Sequence, residues 1–284
     1  MPRDATANHT ARTIVLVGPH FREAVAKFGK RANLTRIDAV LLTHGHADAV
    51  MGLDALREVQ LCSLPPHVWQ VTESVKVFSA KATLDRVATV FPYMSCNAKK
   101  QTTLVGQLEM YEVDENVAAP FFIPPTPPSD GVDAECADVS GGGGGGGDDG
   151  GGAGMWVTPV PVEHGADYTS LGFGFGVGSA DGAFIYISDV SAIYPATMTW
   201  LLGIKIAVLV LDGLLWDFAR PSHQSVLDAL ELVKTLGPTR QAYIVGFTCE
   251  LNVNDAAAHI AAIQDTLPCP VTMAHDGLQF KMNL

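Results

Sequence analysis

Apolar and polar positions along the chain follow two periods, and the switches between them mark the elements. Thr13–Val17 is a short apolar run and predicts a strand. Phe21, Ala24, Val25 and Phe28 recur at helical spacing, which predicts an amphipathic helix over residues 20–32. Ile37–Leu42 is again strand-like, and Val50, Leu53, Asp54 and Arg57 restore the helical interval through Val59. Pro66–Trp69 reads as a short strand, 71–80 and 83–90 as helical, and Thr103–Val113 as an extended strand pair. Farther on, strands are expected at Met155–Val162, Leu171–Val177, Ala183–Ser188, Ile206–Leu211 and Gln241–Val245. Helices are expected over His223–Leu236 and Ala256–Asp265, with short strands near 271–274 and 278–282. Such an alternation is a mixed α/β order, in which helices cover sheet faces.

Residues 120–154 break the pattern. Five prolines between Pro120 and Pro128 precede an unbroken run from Gly141 to Gly147. Proline stiffens the first half, and glycine gives the second too much chain entropy to fold. The segment reads as a disordered insertion into one 284-residue domain, because residues with chemical potential lie on both sides of it. The tract Gly172-Phe173-Gly174-Phe175-Gly176 is not a phosphate loop, since no Gly-x-Gly-x-x-Gly or Lys-Ser/Thr follows. Glycine at every second position leaves one face of a strand bare and predicts close approach to a neighbouring layer.

Charge and cysteine content narrow the function classes. The formal net charge is −12, with no dense Lys/Arg cluster, which argues against nucleic acid as a partner. Five scattered cysteines form no Cys-x-x-Cys pair and fit a reducing, cytoplasmic location. The N-terminus lacks an apolar signal core. Leu201–Trp216, the most apolar run, is interrupted by Lys205 and Asp212 and reads as a buried strand with turns, not a membrane span.

The chemistry concentrates in Thr43-His44-Gly45-His46-Ala47-Asp48-Ala49, directly after a buried strand. Imidazole and carboxylate are the ligands preferred by zinc and related metals. On a straight strand residues 44, 46 and 48 share a face, and on a turn they can converge on one metal. Further candidates fall at strand ends: His164, Asp189, Asp212, Cys249 with Glu250, and His275 with Asp276. Loops at one sheet edge are where such folds place function.

His44-Gly45-His46-Ala47-Asp48, Glu163-His164-Gly165 and Ile187-Ser188-Asp189, in this order, resemble the metallo-β-lactamase fold. The wording at 42–54, 162–173, 186–191 and 274–278 is similar to the branch holding the phosphodiesterase of bacterial phosphonate degradation and its eukaryotic relatives. The resemblance runs from about residue 13 to the end, apart from the insertion. It implies a four-layer αββα sandwich, here lacking an N-terminal hairpin, with a metal site at one edge. His44, His46 and His164 would hold a first metal. Asp189 would bridge to a second, which Asp48 would also bind, and Asp48 counts among the catalytic residues. His223 matches a histidine that works near the leaving group; its expected place at a helix start would lower its pKa, and Asp212 would raise it.

Two departures weaken the second site. Ala49 stands where the superfamily carries a histidine, and Cys249 where relatives carry another. Thiolate suits zinc better than Mg²⁺ or Mn²⁺. The expected cofactor is therefore zinc, one ion tight and a second weak, with manganese an alternative. Zinc with an open position lowers the pKa of bound water to about 7. The expectation is a metal-dependent hydrolase, a phosphodiesterase acting on a small or cyclic phosphoester. It has no membrane partner, and a homodimer is allowed. Its competitors are a degenerate one-metal binding scaffold and an RNA-processing nuclease of the same fold.

One expectation is testable at this level. Replacing Pro124–Gly152 with a short linker should leave folding and metal binding intact, since that composition cannot bury enough apolar surface to offset its ordering entropy. Loss of soluble protein on the deletion would contradict an insertion of this kind.

Overall fold

The computed structural model describes residues 14–16, 18–32, 34, 36–60, 62–63, 70–71, 73–94, 106–124 and 154–283. It divides into two compact units, Met1–Glu112 with Ile123–Met155, and Val113–Phe122 with Trp156–Leu284.

The first unit is built on β1 (Ile14–Leu16), β2 (Ala39–Leu41), β5 (Val75–Ser79) and β6 (Leu108–Glu112), parallel and in that order across the sheet. Two short strands between them, β3 (Cys62–Ser63) and β4 (Gln70–Val71), form a separate antiparallel pair. Every residue of β2 is buried, as expected of a central parallel strand. Val40 and Leu42 pack with Leu53, Leu56, Val77, Val87 and Leu108 into one core. Each such fully buried aliphatic side chain contributes roughly 1.5–3 kcal/mol. Helices α1 (Phe21–Phe28) and α3 (Lys81–Val90) supply Phe21, Leu84 and Val87 to this core. Between β2 and β3 the chain forms one helical turn, α2 (Ala47–Val50), and then a 3₁₀ helix over Met51–Glu58.

The second unit carries a seven-stranded sheet. Its strands are β7 (Phe121–Ile123), β8 (Met155–Glu163), β9 (Thr169–Phe175), β10 (Ala183–Ile187), β11 (Ile206–Asp212), β12 (Gln241–Val245) and β13 (Val271–Met273), in spatial order β13 to β7. Strands β10 to β13 are parallel, and β9 is antiparallel to both β8 and β10. It follows that β8 runs the same way as β10, so the C-terminal ends of β8, β10, β11 and β12 share one sheet edge. Helices α4 (Pro195–Leu202), α5 (Val226–Leu236) and α6 (Val253–Ile263) pack Leu201, Val226, Leu230, Val233 and Ile260 with Ile185, Ile187 and Leu209. α5 starts at a reciprocal cap between Ser225 and Asp228 and stops at Gly237, which takes φ 58°.

Several expectations change. Residues 75–79 form strand β5 rather than helix, because Val75 and Val77 alternate with period two into the core and Ser79 bonds the Leu42 carbonyl at 2.8 Å. α4 is absent from the sequence reading; its mixed apolar face shows no helical stripe, and the remaining signal is Pro195 at its first turn. Residues 278–282 form no strand; Phe280 instead stacks on Tyr243 at 5.4 Å between ring centroids. α5 begins at Val226, three residues after the expected start at His223. The span read as an insertion begins with strand β7, and its remainder from 125 to 153 lies outside the described residues. So do 66–69, 103–105, Thr13 and Val17 from the expected strands. Among the described residues no helix is long and apolar enough to cross a membrane.

The alternating glycines of β9 do permit a close approach, but chiefly to the neighbouring strand β10 of the same sheet and not to another layer. A Cβ at Gly172 would stand 2.6 Å from the Tyr186 carbonyl oxygen on β10, and one at Gly174 would stand 3.1 Å from Ile185 Cδ1. Gly172→Ala must displace a backbone strand and should destabilise the protein by about 1–3 kcal/mol, read as a lower midpoint in thermal or urea unfolding.

Candidate metal centre

In the first unit the sequence motif leaves β2 and turns at once. Leu41 ends the strand, His44 to His46 form a loop, and Asp48 lies in the first turn of helix α2. The three ligand candidates are therefore not aligned on a strand. His44 is 1% exposed, and its Nδ1 shares a 2.9 Å hydrogen bond with the Thr43 hydroxyl. Its Nε2 lies 3.9 Å from the Asp48 carboxylate, which is 65% exposed. The His44 and His46 rings meet edge to face at 4.6 Å between centroids. His46 and Asp48 face solvent while His44 is set in the core, so the loop presents donors from a fixed base.

In the second unit the shared sheet edge gathers His164, Asp189, Asp212 and His223. His164 follows β8, Asp189 follows β10, and Asp212 is the last residue of β11. One donor atom from each of His164, Asp189 and His223 lies within 4.8 Å of the others. The His164 and His223 rings are 4.9 Å apart and nearly perpendicular, at 83°.

Each ring is oriented through its Nδ1. His164 Nδ1–H donates to the Ser222 carbonyl at 2.7 Å, since a carbonyl can only accept. His223 Nδ1–H donates to Asp212 Oδ2, also at 2.7 Å. Both imidazoles thus turn Nε2 away from these anchors. Such outer partners fix tautomer and direction in metal sites.

His223 itself sits on a two-residue hairpin. Arg220 N–H donates to the His223 carbonyl at 2.9 Å, and His223 N–H donates back to Arg220 at 3.2 Å. Pro221 and Ser222 form the tip, and Ser222 supplies the carbonyl that holds His164. His223 therefore lies before helix α5 and not in its first turn; the group that faces it is Asp212, and the helix-start argument does not apply.

Asp212 is 1% exposed. Burial raises its pKa above the usual carboxylate range, and the His223 hydrogen bond and charge draw it back. Gly246 has φ 76°, and a Cβ there would collide with Asp212 Oδ1, so only a bare backbone fits. Gln224 donates through Nε2 to the Asp212 carbonyl at 2.8 Å. Asp189 adopts φ 53°, a left-handed conformation uncommon outside glycine, and its Oδ2 accepts from the Ser188 hydroxyl at 2.7 Å. Strain of that kind concentrates at functional sites. Nearby, burial holds the Tyr186 phenol above its usual pKa; a Ser188 hydrogen bond opposes the shift, and the Asp189 and Asp212 charges add to it.

The donor set of this unit fits a divalent metal of the zinc type. It combines imidazole Nε2 with a carboxylate, and its ring orientations are set independently of any ion. Cys249 lies in the turn after β12 as an exposed free thiol, outside the donor group formed by His164, Asp189 and His223. Glu250, beside it, is 3.7 Å from Arg220. His275 is exposed after β13 and bonds the Asp276 carbonyl at 3.0 Å.

The sequence reading named His164, Asp189, Asp212 and His223 individually. It missed Ser222, which acts through its backbone carbonyl, Gln224, whose side-chain amide holds the Asp212 backbone, and Gly246, which acts through an absent side chain. The run Pro221-Ser222-His223 was the available signal, since Pro-Ser is a turn pair.

Comparison with known proteins places the fold. The profile of the Beta-lactamase superfamily domain matches residues 12–245. No curated protein matches the chain. A diphosphatase of the PhnP family has a similar structure, with 24% identity, TM-score 0.62, and coverage of 95% of this chain and 79% of that one. Zn²⁺-bound PqqB from Methylobacterium extorquens is 17% identical with TM-score 0.59, covering 98% of this chain and 86% of its own. Human tRNase Z, short form, is 14% identical with TM-score 0.51, covering 88% and 81%. These likenesses concern the fold.

Asp212→Asn tests the buried pair. The amide cannot balance charge on His223, so turnover of any hydrolysed ester should fall by about 10²-fold, within the usual range for acid–base groups. Circular dichroism should show the fold retained.

Proposed function

Since the chain belongs to the Beta-lactamase superfamily domain family, matched over residues 12–245, and so to the metallo-β-lactamase-fold hydrolases, we propose that it is a phosphodiesterase acting on a small phosphoester. The observation that carries this reading is the pair of oriented imidazoles beside Asp189, one anchored by a carbonyl and the other by the buried Asp212 carboxylate.

His44, His46 and His164 are proposed to hold the first metal on the strength of the motif order in the sequence. Asp189 would bridge to a second metal, bound also by Asp48 and Cys249. Ala49 and the thiol at 249 leave that second position short of nitrogen donors, so it would bind weakly. Zinc is the favoured ion. When bound, a divalent cation supplies a water nucleophile at neutral pH and offsets charge on the phosphoryl oxygens.

The residues of the chain do the rest. Asp212 favours the charged imidazolium of His223, which then carries a proton on Nε2 toward the departing alkoxide. His164, held by a neutral carbonyl, keeps a lone pair on Nε2 for a metal. An alkoxide leaving group is one that this proton donor would serve. Diphosphate chemistry in a similarly folded protein of the PhnP family agrees with a phosphoryl substrate. The net charge of −12 disfavours a long RNA. The scaffold alternative rests on Ala49 and Cys249 alone.

Two measurements on one preparation test the proposal. Elemental analysis after dialysis should give closer to one zinc than two per chain. His223→Ala should keep that zinc and its thermal midpoint but lose about 10²–10⁴-fold in phosphodiester turnover. The loss should be smallest for nitrophenolate leaving groups, which need no proton. Zinc-loaded wild type that turns over no phosphodiester sinks the hydrolase and leaves a scaffold; a variant that loses zinc makes His223 a ligand.

A further inference from the structure

The last strand of the seven-stranded sheet lies open beside a helix. β13 has a strand neighbour on one side only, β12. The Pro270 carbonyl and the Ala274 N–H bond to β12 at 2.9 and 2.8 Å. By the alternation of a parallel ladder, Val271 and Met273 then turn their N–H and C=O groups to the open side. Along that side runs α6, and between helix and strand lies a groove of about 340 Å³. Its walls are Val253, Ala257, Ile260 and Ala261, which share one stripe of the helix, and Val271 and Met273 from the strand. The two alanines leave space that longer side chains would fill.

Gln264 shows what this edge can bind. Its Nε2 donates to the Cys269 carbonyl at 2.8 Å, and its Oε1 accepts from the Val271 N–H at 3.1 Å. One carboxamide thus takes two backbone groups that a neighbouring strand would bond. It does so from a flexible side chain, so an extended peptide can exchange for it. In strand addition, main-chain bonds of this kind supply affinity and pockets for alternate side chains supply selectivity. The charge around the groove has one sign. Between Arg240 and Lys281 the chain carries Glu250, Asp255, Asp265 and Asp276 and no Lys or Arg. Such a surface attracts a cationic segment and repels a second copy of a chain of net charge −12.

We propose that this groove docks a partner protein, which adds an extended basic segment to β13 with small apolar side chains at alternate positions. The apolar set would enter the groove against Ala257 and Ala261. The basic set would stay in solvent, in the field of the surrounding carboxylates. Without the partner, the Gln264 carboxamide keeps the edge bonded and guards it against unspecific strand pairing. The groove shares no residue with the proposed metal centre, and its role does not depend on the phosphodiesterase reading.

The test uses the full chain and a fluorescent heptapeptide that alternates lysine and valine, with binding read by anisotropy. Wild type should bind it saturably, and glutamate in place of lysine should weaken binding by about tenfold. Two further versions carry backbone N-methyl groups, one on the valines and one on the lysines. Alternate N–H groups of a strand face opposite edges, so one version should lose about tenfold in affinity and the other should keep it. Ala257→Leu fills the groove from an exposed helical position and should cost about tenfold in affinity without lowering the thermal midpoint. Gln264→Ala removes the competing amide and should bind the peptide more tightly than wild type. No binding by wild type, equal effects of the two methylations, equal binding of the acidic peptide, full binding by Ala257→Leu or no gain in Gln264→Ala overturns the proposal. So does a dimer in sedimentation that Ala257→Leu abolishes, because a second copy then fills the groove.

Discussion

The second unit is organised around one buried charge. A carboxylate that is 1% exposed costs several kcal/mol in lost hydration unless charge and hydrogen bonds replace the water. Asp212 ends a strand whose every residue is buried, so its surroundings cannot retreat. Its needs fix what lies around it. His223 must be close enough to donate, which sets the Arg220–His223 hairpin; the hairpin places the Ser222 carbonyl, which orients His164. Gly246 must be bare to let the carboxylate in, and Gln224 ties the Asp212 backbone to the start of α5 while its own N–H bonds the Val190 carbonyl, next to Asp189. Positions that share no sequence motif are thereby held in one arrangement.

The same chain of dependence explains what was legible in the sequence. Elements whose apolar period matched their burial were read well: β2, β10, β11, β12, α3 and the body of α5 all fall where the pattern puts them. β5 was misread because Val75 to Ser79 is too short to separate a period of two from one of 3.6. α4 left no stripe because both its apolar and its neutral residues are spread around the helix. Ligand candidates were legible because imidazole and carboxylate at strand ends are chemically marked. Their supports were not, because Ser222 acts through a carbonyl and Gly246 through the lack of a side chain, and neither contribution depends on residue chemistry that a pattern exposes.

The placement of His223 shows how a small boundary error changes a mechanism. A helix starting at residue 223 would put its imidazole under the positive end of the dipole and favour the neutral ring. The helix starts at Val226, capped by Ser225 and Asp228, and the imidazole faces a carboxylate at 2.7 Å. The sign of the local field is reversed, from one that expels a proton to one that retains it. That reversal is the reason His223 is proposed as the acid.

In the proposed mechanism the two imidazoles, 4.9 Å apart, take opposite tasks without any difference in residue type. A ligand must offer a lone pair on Nε2, and in the proposed mechanism the Ser222 carbonyl orients His164 to do so. A proton donor must hold a second proton close to a cation, against electrostatic repulsion from it. Asp212 supplies the opposing charge for His223, and burial strengthens the interaction because little water screens it. Burial also carries the risk that Asp212 takes the proton itself, since desolvation pushes its pKa upward. The short hydrogen bond from His223 opposes that shift, and it acts only while the two groups remain in contact. The close packing at Gly246 and the Gln224 tie keep them there, and the geometry of the hairpin becomes a condition for the chemistry as well as for the fold.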